Sequence, residues 1–238
     1  VSTRLIGGVI MTHADDDGMV VPPRIAPYQV VIVPVIKNPE DEGKITEYIA
    51  KLQSALKAKA PFGEKIRIKI DKRDRKSVDK FWEWTKKGAP VICEIGMRDV
   101  EGGKVMVKER LKLNTPEGKQ ILSVEEFENS IVARLENIQS EMFARAKKRL
   151  MSNIRTDIAS PEEFRSYFSQ SNEWIADGQN GKVAFVRGKW CADPQTEEIL
   201  KEMKITIRCI PFDQSNSKGI CLLTGKPATM DVIYARSY

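Results

Sequence analysis

Apolar positions change their spacing several times along this 238-residue chain, and each change marks an element. Residues 30–36 form a near-continuous apolar run, the mark of a strand buried on both faces. Ile45, Ile49, Leu52 and Leu56 then recur at intervals of three and four, so residues 39–59 read as a helix with one buried stripe, stopped by Pro61 and Gly63. Residues 65–71 alternate, with Ile66, Ile68 and Ile70 on one side, and read as a second strand. Residues 77–87 read as a short helix, with Ser77 as N-cap, Phe81, Trp82 and Trp84 as apolar anchors and Gly88 just past its end. Residues 90–95 are a third apolar run, and residues 105–111 alternate again after a Gly102, Gly103 turn. Strand and helix in alternation predict a doubly wound α/β domain over residues 28–122, its sheet parallel or mixed.

From Ser123 the helical period runs longest. Ser123 and Glu126 have capping-box spacing, and Phe127, Ile131, Leu135, Ile138, Met142, Ala146 and Leu150 make one stripe. This length predicts a linking helix within residues 123–158, with Arg134, Arg145, Lys147, Lys148 and Arg149 on its outer, solvated faces. Residues 159–238 read as a small α/β domain: a helix over 161–170 opened by Ser160 and Pro161, strands over 183–187, 205–210 and 230–238, and a helix over 194–203.

Residues 1–27 stand apart. Arg4 is a planar cation able to lie on a purine or clamp a phosphate, with two hydroxyls beside it in Ser2 and Thr3. Gly7 and Gly8 sit among Leu5, Ile6, Val9, Ile10 and Met11, as if interrupting a buried element, and residues 13–18 read as a polar turn that Pro22 and Pro23 close. The segment opens directly, without an initiator methionine, so the chain is expected to be the downstream part of something larger.

Composition narrows the class. At 41% apolar and 30% charged the chain is ordinary for a globular protein, and no apolar run approaches the roughly 20 residues of a membrane-spanning helix. The opening is not expected to act as a signal peptide. Thirty-nine basic against 33 acidic residues give +6, a mild lean towards a polyanionic partner. Four cysteines, Cys93, Cys191, Cys209 and Cys221, do not suggest a disulfide scaffold, so a reducing cytoplasm is expected.

The order of residues in the opening segment carries more than its pattern. Ser2, Thr3, Arg4, Leu5, Ile6 and Gly7, followed by Met11, His13, Asp15, Asp16, Gly18, Pro22, Pro23 and Pro27, closely resemble the third signature motif of class II aminoacyl-tRNA synthetases as found in prolyl-tRNA synthetases of the archaeal and eukaryotic-like type. It departs at Ala14, where that family has Gly, and at Ser2, where it has Thr. Residues 30–34, 71–74, 80–90 and 94–103 resemble segments of the family's anticodon-binding domain, with a turn before Lys80 one residue shorter. The resemblance implies a remnant of a class II catalytic sheet in residues 1–27, an anticodon-binding domain in 28–122, and a C-terminal domain of zinc-binding type in 159–238. It implies that Arg4 stacks on the adenine of ATP with Ser2 lining the same pocket, and that no catalytic site is complete in this chain, since the first two motifs are absent from it. The chain by itself is therefore expected to be inactive.

Within the anticodon-binding resemblance, a carboxylate suits the N1 and N2 donors of guanine and an arginine suits O6 and N7, so Glu94 and Arg98 are the expected readers of the anticodon guanines. Their bland alternative is a surface salt bridge. Arg73 and Lys80 are expected to contact tRNA phosphate, and Trp82 and Trp84 to serve packing. Relatives in the family carry a four-cysteine zinc site; here Cys191 and Cys221 stand at two of its positions and Thr196 and Thr224 at the others. Hydroxyls are poor zinc ligands beside thiolates, so no metal is expected, with Cys93 and Cys209 as small core residues. The resemblance also delivers the Tyr238 carboxylate towards the catalytic domain.

Together these imply a proline–tRNA ligase, a cytoplasmic homodimer in its full form, that uses ATP and magnesium to activate proline and charges tRNA(Pro). The alternatives are a non-catalytic tRNA-binding module and an α/β interaction protein with incidental basic charge.

Overall fold

The structure, a computed structural model, describes residues 2–176 and 183–237. The chain divides into two units, Val1–Ala146 and Lys147–Tyr238. The first opens with helix α1 (Arg4–His13) and continues through β1 (Val30–Val35), α2 (Glu42–Lys57), β2 (Ile68–Ile70), α3 (Ser77–Lys86), β3 (Val91–Gly96), α4 (Met97–Gly102), β4 (Lys104–Glu109), β5 (Lys119–Ser123) and α5 (Val124–Ser152). Its sheet has the order β2–β1–β3–β4–β5. β1 runs parallel to β2 and β3, whereas β3 with β4 and β4 with β5 are antiparallel, so the sheet is mixed.

The period of two along β1 builds both faces of this core. Val30 and Ile32 pack with α2 residues Ile45, Ile49, Leu52 and Leu56, while Val31 and Val33 pack with Phe81 and Trp84 of α3. Helices therefore cover both faces, and each fully buried aliphatic side chain contributes on the order of 1.5–3 kcal/mol. Trp82 is 44% exposed and meets the Phe81 ring edge-on at 5.3 Å, so of the two tryptophans Trp84 is the buried one. Ser77 begins α3 without capping it; Lys76 holds the cap position and makes no side-chain cap bond.

α5 runs past Ala146, the last residue of the first unit, into the second, and most of its stripe belongs to the core of the first. The Ser123 hydroxyl and Glu126 carboxylate exchange capping bonds with each other's backbone N–H at 3.2 and 2.8 Å, and Phe127, Ile131, Leu135, Ile138 and Met142 are all buried in the core of the first unit. The stripe shares its core with Val30 and Ile32 of β1, Val91, Cys93 and Ile95 of β3 and Val105 and Val107 of β4, and Leu122 of β5, a strand without a clear pattern in the sequence, packs against the same cluster.

The second unit contains β6 (Ile154–Arg155), α6 (Pro161–Ala176), β7 (Phe185–Trp190), α7 (Pro194–Glu202), β8 (Ile205–Cys209), β9 (Gly219–Ile220), β10 (Pro227–Ala228) and β11 (Met230–Arg236). Its main sheet has the order β6–β7–β11–β8, with β11 antiparallel to β7 and β8. Phe164 packs against Phe168 and Tyr234 at ring distances of 4.8 and 4.9 Å. A Cβ at Gly188 in β7 would lie 2.1 Å from Leu222 Cδ1, so any larger residue there would force the buried Leu222 side chain to move.

Candidate nucleic-acid interface

The carboxyl ends of β2, β1 and β3 form one edge of the first sheet. From β1 the chain crosses to β2 on one side, and from β3 it proceeds to β4 on the other, so the connections diverge between β1 and β3. Open α/β sheets bind ligands at this kind of edge. Glu94 and Arg98 lie there: Val33 pairs with Glu94 and Val35 with Gly96, the residue from which α4 starts. Asp99 Oδ2 accepts from the Gly96 N–H at 2.9 Å, which fixes the turn that carries Arg98. Arg98 is exposed.

Glu94 shares the α3 side of β3 with Ile92, two residues earlier. Lys108 Nζ lies 2.5 Å from Glu94 Oε2 and 3.7 Å from the centre of the Phe81 ring, so an ammonium wedged against an aromatic face holds the carboxylate. Among the described residues Oε1 receives no hydrogen bond, which leaves one carboxylate oxygen for an external donor. Lys108 was not singled out by sequence reasoning; the alternation along β4 that places it beside Phe81 was the available signal.

At the neighbouring end of β2 the expected phosphate contacts are otherwise employed. Asp71 is buried, and its carboxylate receives Arg73 Nε at 2.9 Å, Arg73 Nη2 at 2.6 Å and Trp84 Nε1 at 2.8 Å. The guanidinium of Arg73, foremost, and these other donors hold Asp71 far below the usual carboxylate range, burial opposing them. Arg73 also forks onto Glu83 with two 3.0 Å bonds and with Lys87 brings that carboxyl down to about 2. Lys80 is 6% exposed and donates to the Asp71 carbonyl at 3.2 Å. Lys80 is thus mostly buried, with one ammonium N–H on backbone, unlike the exposed phosphate contact expected of it. Lys72, Arg73, Arg75 and Lys76 are exposed cations of this loop, Arg73 and Arg75 being paired to carboxylates, and with Asp71 and Lys80 they line a cleft of about 610 Å³ that also includes Pro34 and Ile36 at the end of β1. The density of basic residues over 72–76 was their signal.

The opening segment differs from its reading as a buried element. α1 is a helix with no buried residue; Leu5, Ile6 and Met11 are 60%, 63% and 80% exposed, and a Cβ at Gly7 or Gly8 would meet nothing within 4 Å. The helical period, not a strand's, governs these residues, and no other described element covers them. Ser2 Oγ accepts from the Arg4 N–H at 3.3 Å, which places the two residues together at the start of the helix. The segment that follows is clamped to the sheet by two arginines. Arg110, its side chain 1% exposed, donates to both oxygens of Asp15 and to the carbonyls of Gly18 and Thr85, and Arg67 donates to the carbonyls of Pro23, Arg24 and Ala26. Gly18, at φ +122°, lets the chain pass where a Cβ would meet Lys86 backbone at 2.7 Å.

In the second unit three of the four expected zinc-site positions converge. Cys191 Sγ lies 3.3 Å from Thr224 Oγ1, and Cys221 is buried beside them. Burial, the largest single influence on the Cys221 thiol, acts to raise it, but hydrogen bonds from the Thr224 hydroxyl and from the backbone N–H groups of Cys191, Leu223 and Thr224 together hold it below its ordinary value. Thr196 is turned away: its hydroxyl accepts from Trp190 Nε1 at 3.1 Å and donates to the Asp193 carbonyl at 2.6 Å. Among the described residues no group of three or more His, Cys, Asp or Glu side chains could hold a metal. Cys93 is a core residue, whereas Cys209 is exposed at the end of β8, contrary to its expected burial, because the pairing with β11 shifts register between Ile233 and Tyr234 and breaks the alternation that turns Ile205 and Ile207 to the core. Tyr238 lies outside the described residues.

Two family patterns match the chain. One, described as an anticodon binding domain, matches residues 29–134, and the other, described as prolyl-tRNA synthetase, C-terminal, matches residues 174–238. Among curated proteins, a proline–tRNA ligase of Protochlamydia amoebophila is 44% identical over 237 residues, covering 100% of this chain and 46% of the relative. A proline–tRNA ligase of Paramagnetospirillum magneticum is 44% identical over 239 residues, covering 100% and 45%, and one of Bdellovibrio bacteriovorus is 40% identical over 238 residues, covering 100% and 46%. The chain spans about half the length of the curated relatives it matches.

Proposed function

The chain belongs to the prolyl-tRNA synthetase family, and on that premise we propose that it supplies the anticodon grip of a proline–tRNA ligase. The full enzyme would join the proline carboxylate to the α-phosphate of ATP with loss of pyrophosphate, then pass the prolyl group to tRNA(Pro). Ser2 and Arg4 would line the adenine side of the ATP site, and the magnesium that accompanies ATP would be held outside the described residues. The donors left at the two-cysteine turn do not suit tetrahedral zinc, since Thr196 is hydrogen-bonded elsewhere, so the second unit is read as metal-free. Cytoplasmic location and a homodimer of the full enzyme complete the reading.

One observation carries it: Glu94 and Arg98 occupy the diverging edge of the sheet, with Glu94 Oε1 left open and Arg98 exposed. A carboxylate and a guanidinium are the two groups that read the opposite edges of guanine. Filter or fluorescence binding of this chain to tRNA(Pro), against the same tRNA with its anticodon guanines replaced, tests the reading. A preference of about tenfold to a hundredfold for the guanine-bearing tRNA is expected. Equal, salt-sensitive binding of both would leave only non-specific charge and sink it.

A further inference from the structure

Two cysteines 30 positions apart in sequence, Cys191 after β7 and Cys221 after β9, share one hydroxyl in the fold. Thr224 Oγ1 is 3.3 Å from Cys191 Sγ, Thr224 follows Cys221 by three residues in the same turn, and Cys191 packs against the buried cluster that contains Cys221. The turn is tight: the Gly225 N–H bonds the Cys221 carbonyl at 2.9 Å, the Cys221 N–H bonds the Lys226 carbonyl at 2.8 Å, and Gly225 sits at φ +74°.

Access differs between the two. Cys191 is partly exposed, and Cys221 is 0% exposed directly behind it. The other two cysteines lack a partner of this kind: Cys93 is buried in the first unit, where burial pushes its thiol well up, and Cys209 is exposed on β8.

We propose that Cys191 and Cys221 are a modification site, a dithiol that peroxides oxidise to a disulfide. The Cys191 thiolate attacks one oxygen of the peroxide, the O–O bond breaks, and Cys191 becomes a sulfenic acid while the second oxygen leaves as hydroxide or alkoxide. The Cys221 thiolate then attacks the Cys191 sulphur; the S–S bond forms, the S–O bond breaks, and hydroxide departs with a proton from solvent or the Thr224 hydroxyl, which is then reprotonated. With hydrogen peroxide the sum is two thiols and one peroxide giving one disulfide and two waters. A low-molecular-weight thiol reverses it by exchange. The bond would tie the end of β7 to the turn before β10. This chemistry does not depend on tRNA binding.

The test uses the purified chain, its metal content measured first, treated with one equivalent of hydrogen peroxide, alkylated and digested without reduction. The expected product is a linked peptide pair containing Cys191 and Cys221, with Cys93 and Cys209 accounted for as thiols and the link lost on adding dithiothreitol. A Cys221→Ser variant, folded by circular dichroism, should leave Cys191 as a sulfenic acid captured by a 1,3-dione probe. Disulfides through Cys209, oxidation of Cys191 past the sulfenic stage in the unaltered chain, no reaction of either cysteine, or one zinc per chain holding both thiols would each overturn the proposal.

Discussion

At the ends of β2 and β3 stand two carboxylates on one sheet edge, Asp71 with its side chain 1% exposed and Glu94 with 13%. Asp71 has four donors on its two oxygens, and the arginine that supplies three of them, its backbone N–H included, also donates twice to Glu83. Among the described residues Glu94 has one ion-pair partner, Lys108, on one oxygen, and its neighbour Arg98 is exposed. The difference teaches that residue type and position at an edge do not make a contact; unspent hydrogen-bonding capacity does. Asp71, Arg73 and Lys80 brace the loop after β2, whereas Glu94 and Arg98 retain groups that can reach a ligand.

Removing Asp71 should break this comparison most sharply. Asp71→Ala leaves Arg73 and the Trp84 indole without their acceptor; with Arg73 42% exposed, solvent recovers part of the loss, and a destabilisation of about 2–3 kcal/mol by urea unfolding is expected. Glu94→Gln should stay within about 1 kcal/mol in the same assay. The pH dependence follows the same division. The folded-state pKa of Asp71 lies below its unfolded value, ordinarily about 3.9, so its contribution is complete above that value and is lost as pH falls through it towards the folded one. Stability of Asp71→Asn should therefore decline less steeply below about pH 4 than that of the unaltered chain; identical acid limbs would contradict the bracing role.

The exposed loop cations sharpen the comparison from the other side, with a smaller effect. Lys72→Ala and Lys76→Ala should each weaken binding to all tRNAs alike and lower the slope of log affinity against log salt by about 0.7–1. A loss confined to tRNA(Pro) would move these lysines from positioning to reading.

Much of the fold was legible because single stripes or uniform runs encode it. The spacing of Ile45, Ile49, Leu52 and Leu56 survives as one buried face, and the run over residues 30–35 is a strand buried on both. β5 was missed since Lys119, Gln120 and Ser123 give no clean alternation; it is held through backbone pairing with β4. α1 was misread because its apolar residues face solvent, and apolar content alone then suggests burial. The edge location of Glu94 and Arg98 was legible from the strand before them. The spending of Arg73 and Lys80 on Asp71 was not, for it depends on how the loop after β2 closes against α3. The Arg110 clamp joins residues 95 positions apart, and no local pattern reports such a pair.

The central claim is that Glu94 reads guanine and does not merely balance Lys108. It is tested most directly by measuring the affinity of Glu94→Gln for tRNA(Pro) and for the guanine-replaced tRNA at one salt concentration. The account predicts that binding to tRNA(Pro) falls about tenfold or more while binding to the replaced tRNA is unchanged, so discrimination collapses. An undiminished preference for tRNA(Pro) in that variant would contradict it.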